Sequence, residues 1–192
     1  MANRSHVGAK IFTLPRLTLV LGGAASGKSR FAEDLVRRAP GPHRYVATAQ
    51  AFDEEMRAKI LKHQQDRGEG WDTTEAPYDL AGALTALPGT APVLVDCLTL
   101  WLSNIILAQD IEVTKNQPLR LEFDQLLNAL ADAKAPIVTV SNEVGQGIVP
   151  ENRLGRAFRN HQGRLNQAVA AQADLVVLVA AGLPLVLKGQ MP

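Results

Sequence analysis

The chain contains a single cysteine, Cys97. Neither an intrachain disulfide nor a cysteine-rich zinc cluster can therefore form, and a reducing compartment is expected. A basic excess is also missing, since 20 Lys and Arg face 19 Asp and Glu for a formal net charge of +1. Proteins that grip a nucleic-acid backbone displace its counterions with clustered positive charge, so this balance argues against a nucleic-acid partner. No apolar stretch reaches the roughly 18 residues that a membrane span needs. Met1–Arg16 lacks the continuous apolar core of a secretory signal and reads as an N-terminal tail. Together these absences predict a cytoplasmic protein with no membrane span. The remaining composition is ordinary, 46% hydrophobic and 20% charged over 192 residues. That suffices for one well-filled domain. The expected organisation is a tail over 1–16 and a single domain over 17–192.

Short apolar runs alternate with stretches of helical period along this domain. Leu17–Leu21, Tyr45–Thr48, Val93–Asp96, Ile137–Val140 and Leu175–Val179 read as core strands. Thr73–Glu75 and Leu185–Leu187 are two further short ones. Helices are expected through Phe31, Leu35 and Val36, from Asp53 to Gly68, over 79–87 and from Leu98 through Ile105. Two more are expected through Leu119–Leu130 and from Glu151 to about Ala173, with Gln109–Gln117 as a polar loop. Such alternation predicts an α/β fold with a mainly parallel sheet covered on both faces.

One motif carries most of the chemistry. Gly22-Gly23-Ala24-Ala25-Ser26-Gly27-Lys28-Ser29 fits G-x-x-x-x-G-K-[ST] and lies between a predicted strand and a predicted helix, the context of a phosphate-binding P-loop. Small residues let the backbone curl so that successive N–H groups point at anionic oxygens. The helix beginning near Gly27 adds its positive dipole end. Lys28 is placed to reach the β- and γ-phosphates of ATP or GTP, and the Ser29 hydroxyl to ligate Mg²⁺. The competing reading is a glycine-rich turn that binds nothing. Asp96 ends an apolar strand, where a carboxylate holds Mg²⁺ directly or through water. Its alternative role is to cap the helix that starts at Leu98.

His63 shares a helix face with Met56 and Ile60, which fits a packed core histidine. Arg67 lies one turn further along the same face, and Thr48 and Gln50 lie just upstream at a strand end. A neutral imidazole beside a guanidinium is a competent nucleophile toward phosphorus. Both readings of His63 stand on the residues alone. Arg153, Arg156, Arg159 and Arg164 cluster on the last long helix and fit either a ligand grip or a solvated face. Cys97, His161, Trp71 and Trp101 read as packed residues.

The motifs together resemble the bifunctional adenosylcobinamide kinase/adenosylcobinamide-phosphate guanylyltransferase family of cobalamin biosynthesis. The resemblance is carried by the GGAASGKS loop, Tyr45–Ala49, and Glu55–Ile60 with His63 and Arg67. It continues through Trp71 with Thr74-Glu75, then Asp96–Leu102 with Asn104, and the block Ser141–Arg153 (SNEVGQGIVPENR). Phe158-Arg159, Gly163–Gln167, Ala173-Asp174 and Gly182–Pro184 extend it over nearly the whole chain after Arg16. It implies a RecA-like P-loop NTPase that phosphorylates adenosylcobinamide with a nucleoside triphosphate. GMP is then transferred from GTP through a GMP–histidine intermediate, and the matching residue is His63. It further implies a homotrimer. The implied nucleotide site comprises Gly22 to Ser29, Thr48, Ala49, Gln50, Arg67, Glu75 and Asp96, with Asn142 and Glu143 facing the substrate or capping their loop. The chain departs from the family at Ala25, where an arginine is frequent, and in its longer tail. Two other readings compete: a plain small-molecule kinase with no nucleotidyl transfer, and a non-enzymatic nucleotide-binding regulator.

Overall fold

Strand β1 (Leu17–Gly22) is buried along its whole length, as a central parallel strand must be. Its side chains alternate between faces: Leu17, Leu19 and Leu21 enter one apolar cluster, and Val20 enters another. The computed structural model describes residues 12–51, 54, 57, 58, 65, 68–108 and 117–192. Within them the order is β1, α1 (Lys28–Arg37), β2 (His43–Ala47), β3 (Trp71–Glu75), α2 (Leu80–Ala86), β4 (Val93–Asp96) and α3 (Leu98–Ala108). Then come α4 (Gln117–Asp132), β5 (Ile137–Asn142), α5 (Arg153–Gln172), β6 (Leu175–Ala180) and β7 (Leu183–Lys188).

The seven strands form one sheet in the order β3-β2-β4-β5-β1-β6-β7. Six run parallel, and β7 returns antiparallel to β6. Leu94, Val138 and Val177 join Val20 beneath Ala32, Leu35 and Val36 of α1. On the other face Val93, Val95 and Ile137 join the β1 leucines beneath α2, α3, α4 and α5. The expected two-sided cover holds for the central strands β1, β4, β5 and β6. It fails at both edges, where three of the five residues of β3 and all six of β7 are exposed.

Element ends follow local chemistry. The N–H of Ala39 donates to Val36 O at 3.0 Å to close α1, just before Pro40-Gly41-Pro42. Glu54, Arg57, Ala58 and Gln65 are helical. Gly68, at φ +64, then donates to Gln65 O, a left-handed glycine stop. Asp79 caps α2 by accepting from the Gly82 N–H at 2.8 Å. Helix α5 was expected from Glu151 but starts at Arg153, because the side chain of Asn152 accepts from the Gly155 N–H at 2.6 Å. Strand β2 stops one residue short of Thr48, whose hydroxyl is taken by the backbone of Cys97.

Phe12, Leu14 and Arg16, assigned from sequence to the tail, are packed. Leu14 is buried, Phe12 lies under the Arg38 guanidinium at 4.3 Å, and Arg16 donates to Leu130 O and Gln172 O.

Helix α3 is placed unusually. Asn104, midway along it, donates through Nδ2 to Thr48 O at 2.8 Å and Pro77 O at 3.0 Å. Both carbonyls lie just past the C-terminal ends of β2 and β3. Its middle is therefore tied to that edge of the sheet, while Leu98, Trp101, Leu102, Ile105 and Ile106 pack into the core on the sheet's face.

Candidate active site

Gly22 ends β1 under tight constraint. A Cβ there would sit 2.4 Å from Ser26 Oγ and 2.7 Å from Val179 O, so only glycine fits. Its carbonyl accepts from the Glu143 N–H at 3.0 Å, and Ser26 N–H donates to Gly23 O at 3.3 Å, which curls the loop. Gly27 is the N-cap of α1 at φ +92, with no side-chain cap and no acidic residue in the first turn. The first N–H groups of α1 thus lack the side-chain acceptor that usually satisfies them, and they face the same side as the helix dipole's positive end. Lys28 Nζ lies 3.0 Å from Gly23 O, holding its charge at the loop mouth. Ser26 Oγ is buried without a hydrogen-bond partner. Such a cradle is built for an anion.

A distant element braces it. Ala181 and Gly182, at φ +52 and +78, form the two-residue turn between β6 and β7. The Gly182 N–H donates to Ser26 O at 2.8 Å, and a Cβ on Gly27 would stand 3.2 Å from Gly182 Cα. Sequence reading missed this contact. Its only signal was the lone glycine at position 182, whose purpose depends on β6 lying beside β1.

Asp96 stands at the end of β4, two strands from β1 with β5 between them. It is half-buried, and the Tyr45 hydroxyl donates to its Oδ2 at 3.1 Å, which fixes the carboxylate's direction. Thr48 is fully buried. Its Oγ1 donates to Cys97 O at 2.7 Å and accepts from Cys97 N–H at 2.8 Å, so the hydroxyl braces the ends of β2 and β4. Ala49 and Gln50 follow, half-buried, with Gln50 Oε1 accepting from the Tyr78 hydroxyl at 3.0 Å. Glu75 ends β3 and is exposed on the same edge. His63 and Arg67 lie outside the described residues.

Beside the cradle, Asn142 pairs in register with Gly22. Its N–H donates to Thr99 Oγ1 at 2.8 Å, and its Oδ1 is buried without a partner. Glu143 turns back, Oε1 accepting from the Gly145 N–H at 2.7 Å, which is the loop-capping role. Beneath them lies a polar cluster that sequence reading did not assemble. Ser141 Oγ donates to Asn166 Oδ1 at 2.6 Å, Gln162 Nε2 donates to both, and Asn166 Nδ2 donates to Asn142 O. Gln162 and Asn166 are one helical turn apart on the buried side of α5, and that polar pair was the available clue. Arg156 donates to Pro150 O and Glu151 O, and Arg159 to Gly147 O at 3.4 Å. Two of the four clustered arginines thus staple the 143–152 loop to α5.

Cys97 is the packed thiol expected from sequence. Burial first, then the neighbouring Asp96 charge, pushes it up to about 11. The reactive thiolate is therefore scarcer at pH 8 than for an ordinary cysteine. Iodoacetamide at pH 8 should leave the native protein unmodified and alkylate one thiol per chain after denaturation, read by intact mass. Rapid native alkylation would contradict this burial.

The folded chain can be set beside known proteins. A P-loop ATPase neighbour, the prototypical ATPase from the type III secretion system of pathogenic bacteria, superposes with a TM-score of 0.51 at 13% identity. The match covers 86% of this chain and 51% of that one. The sheet order and phosphate loop accord with a RecA-like P-loop NTPase fold, and this likeness supports that fold alone. Sequence carries more. The family model described as "Cobinamide kinase / cobinamide phosphate guanyltransferase" (CobU) matches residues 18–187. The bifunctional adenosylcobalamin biosynthesis protein CobP of Pseudomonas aeruginosa is 43% identical over 175 residues, covering 90% of this chain and 97% of that protein. CobU of Salmonella typhimurium, described in the same words, is 40% identical over 184 residues and is covered to 99%. Kinship of this depth, reaching from β1 into β7 and including the phosphate cradle, places the chain in the CobU family, and it is accordingly a bifunctional cobinamide kinase and cobinamide phosphate guanylyltransferase of cobalamin biosynthesis.

Proposed function

We propose that both activities use one nucleotide site, with the cradle from Gly22 to Ser29 holding the triphosphate and His63 acting as the nucleophile of guanylyl transfer. The observation that carries this reading is the uncapped N-terminus of α1 at Gly27, open to phosphate and flanked by Lys28. In the kinase step the hydroxyl of adenosylcobinamide attacks the γ-phosphorus of ATP or GTP. The nucleoside diphosphate departs, and the hydroxyl proton is released. Lys28 neutralises charge on the β- and γ-phosphates, and the protein acts mainly by positioning.

In the transfer step a neutral His63 nitrogen bonds to the α-phosphorus of GTP while the bond to the bridging oxygen breaks, and pyrophosphate leaves. Arg67 steadies the phosphate under attack. A phosphate oxygen of adenosylcobinamide phosphate then displaces the histidine, giving adenosylcobinamide-GDP. The ends of β2 and β3, with Thr48 as brace and Ala49, Gln50 and Glu75 alongside, flank the nucleotide.

Mg²⁺ fits the donor set. Asp96 and Ser29 offer hard oxygens, the kind of ligand that holds this ion together with phosphates and water. When bound, it would supply charge neutralisation on the phosphates. The reading also includes a cytoplasmic location, one catalytic domain over 17–192 and a homotrimer. The exposed apolar edge strand β7, with Leu183, Leu185 and Leu187, is a surface such an assembly would cover.

Incubation with α-labelled GTP should give a covalent adduct that is stable to base and labile to acid, and His63→Ala should abolish it. Undiminished label on that variant, or phosphorylated product with no adduct on the wild type, would overturn the intermediate and leave a plain kinase.

A further inference from the structure

Backbone N–H groups grip a phosphate only when their peptide planes are turned toward it. In a trans peptide the carbonyl and the next N–H point opposite ways, so whatever holds the carbonyl also aims the N–H. Ser26 and Gly27 share such a trans plane inside the cradle. Its carbonyl is held from far along the chain, by the Gly182 N–H at 2.8 Å. The Gly27 N–H therefore points away from the β6–β7 turn. Strands β5 and β4, which end in Asn142 and Asp96, lie on the opposite side of β1 from β6.

The end of β6 and its turn fit this flank of the loop closely. A Cβ on Gly22 would meet Val179 O at 2.7 Å, and one on Gly27 would meet Gly182 Cα at 3.2 Å. The pairs Ala180–Leu183 and Val179–Pro184 close the turn, and both of its residues are left-handed, Ala181 at φ +52 and Gly182 at φ +78. A Cβ on Gly182 would meet nothing within 4 Å. Position 182 thus has room for a side chain, and what it demands is a positive φ.

We propose that Gly182 is a positioning residue for nucleotide binding: its left-handed backbone keeps the N–H on the Ser26 carbonyl and so presents the Gly27 N–H to a phosphate oxygen. The inference rests on the reading that the cradle binds the triphosphate. A residue that resists positive φ at 182 releases the Ser26–Gly27 plane to other orientations. Apparent phosphate affinity then falls with the fraction of loops still correctly turned.

Binding of a fluorescent GTP analogue, and its displacement by inorganic tripolyphosphate, tests this on a series of variants at one open position. Gly182→Val resists the left-handed region and should weaken both ligands about 5- to 50-fold. Gly182→Asn adopts that region readily and should bind within twofold of the wild type, with Gly182→Ala between them. Lys188→Ala serves as the control for a loosened β7. It removes the bonds from Lys188 Nζ to Ala170 O and Ala171 O at the strand's far end, and it should leave both affinities unchanged. Thermal midpoints without ligand verify that each variant is folded, and the alanine and asparagine variants carry the test if valine does not fold. Wild-type affinity in the valine and alanine variants overturns the proposal. So does an equal loss in the asparagine variant, which would blame the side chain instead of the backbone, or an equal loss in Lys188→Ala. Failure of tripolyphosphate to displace the analogue from the wild type would sink the phosphate cradle itself, and this inference with it.

Discussion

Lys28→Ala is expected to slow both phosphoryl and guanylyl transfer by about 10²–10³-fold, the usual cost of removing one preorganised charge-stabilising group from a transferring phosphate. In the folded chain its ammonium rests on the Gly23 carbonyl at the mouth of the cradle, a short movement from where phosphate oxygens would lie. The side chain is half-exposed, so its loss opens no core cavity. The thermal midpoint should stay near that of the wild type while single-turnover rates collapse. Both half-reactions should fall together, because both need charge neutralised on the departing phosphate. A loss confined to one would mean that the two reactions do not share the cradle. Rates within threefold of the wild type would remove Lys28 from the chemistry.

Trp101→Ala should have the largest effect on stability. Trp101 is 1% exposed, packs against Phe123 with ring centroids 6.3 Å apart, and donates from Nε1 to Tyr78 O at 2.8 Å. Truncation leaves a cavity beneath α3 and strips the Tyr78 carbonyl of its donor. The expected cost is about 3–5 kcal/mol, a large share of the roughly 5–15 kcal/mol of a typical domain. Urea unfolding followed by fluorescence would measure it. Trp101→Phe keeps most of the packing and loses the donor, so it should cost about 1–3 kcal/mol. A smaller loss for alanine than for phenylalanine would refute this account of the side chain. Because Asn104 ties α3 to the ends of β2 and β3, the alanine variant should also weaken substrate binding before it unfolds.

The strands were readable because each is a short apolar run with nowhere to go but a buried sheet, and β1, β4, β5 and β6 lie where those runs predict. Their ends were less readable. Thr48 carries the β-branched character of a strand, but its hydroxyl is committed to Cys97, a partner far away in sequence. The same tertiary bond makes Thr48 a brace between the ends of β2 and β4, a role that its place at a strand end did not announce. Asn142 and Glu143 are a similar case. Their position at a strand end was legible, whereas the division of labour was not: Glu143 closes its own loop and Asn142 carries a buried acceptor next to Gly22. Two of the four clustered arginines proved to be loop staples, because Pro150 and Gly147 fold back over the helix that bears them.

The amino-acid order alone determined the phosphate loop, since its turn, its positive φ at Gly27 and the helix that follows depend on neighbours within a few residues. It likewise determined the alternation of strand and helix, which is a matter of local period. Only the folded chain decided what stands behind the loop and around it. Gly182 reaches Ser26, Tyr45 reaches Asp96, and Asn104 of α3 reaches the Thr48 carbonyl because the strand order brings distant segments side by side. Local spacing fixes which residues share an element, and contact between elements depends on how the whole sheet is threaded.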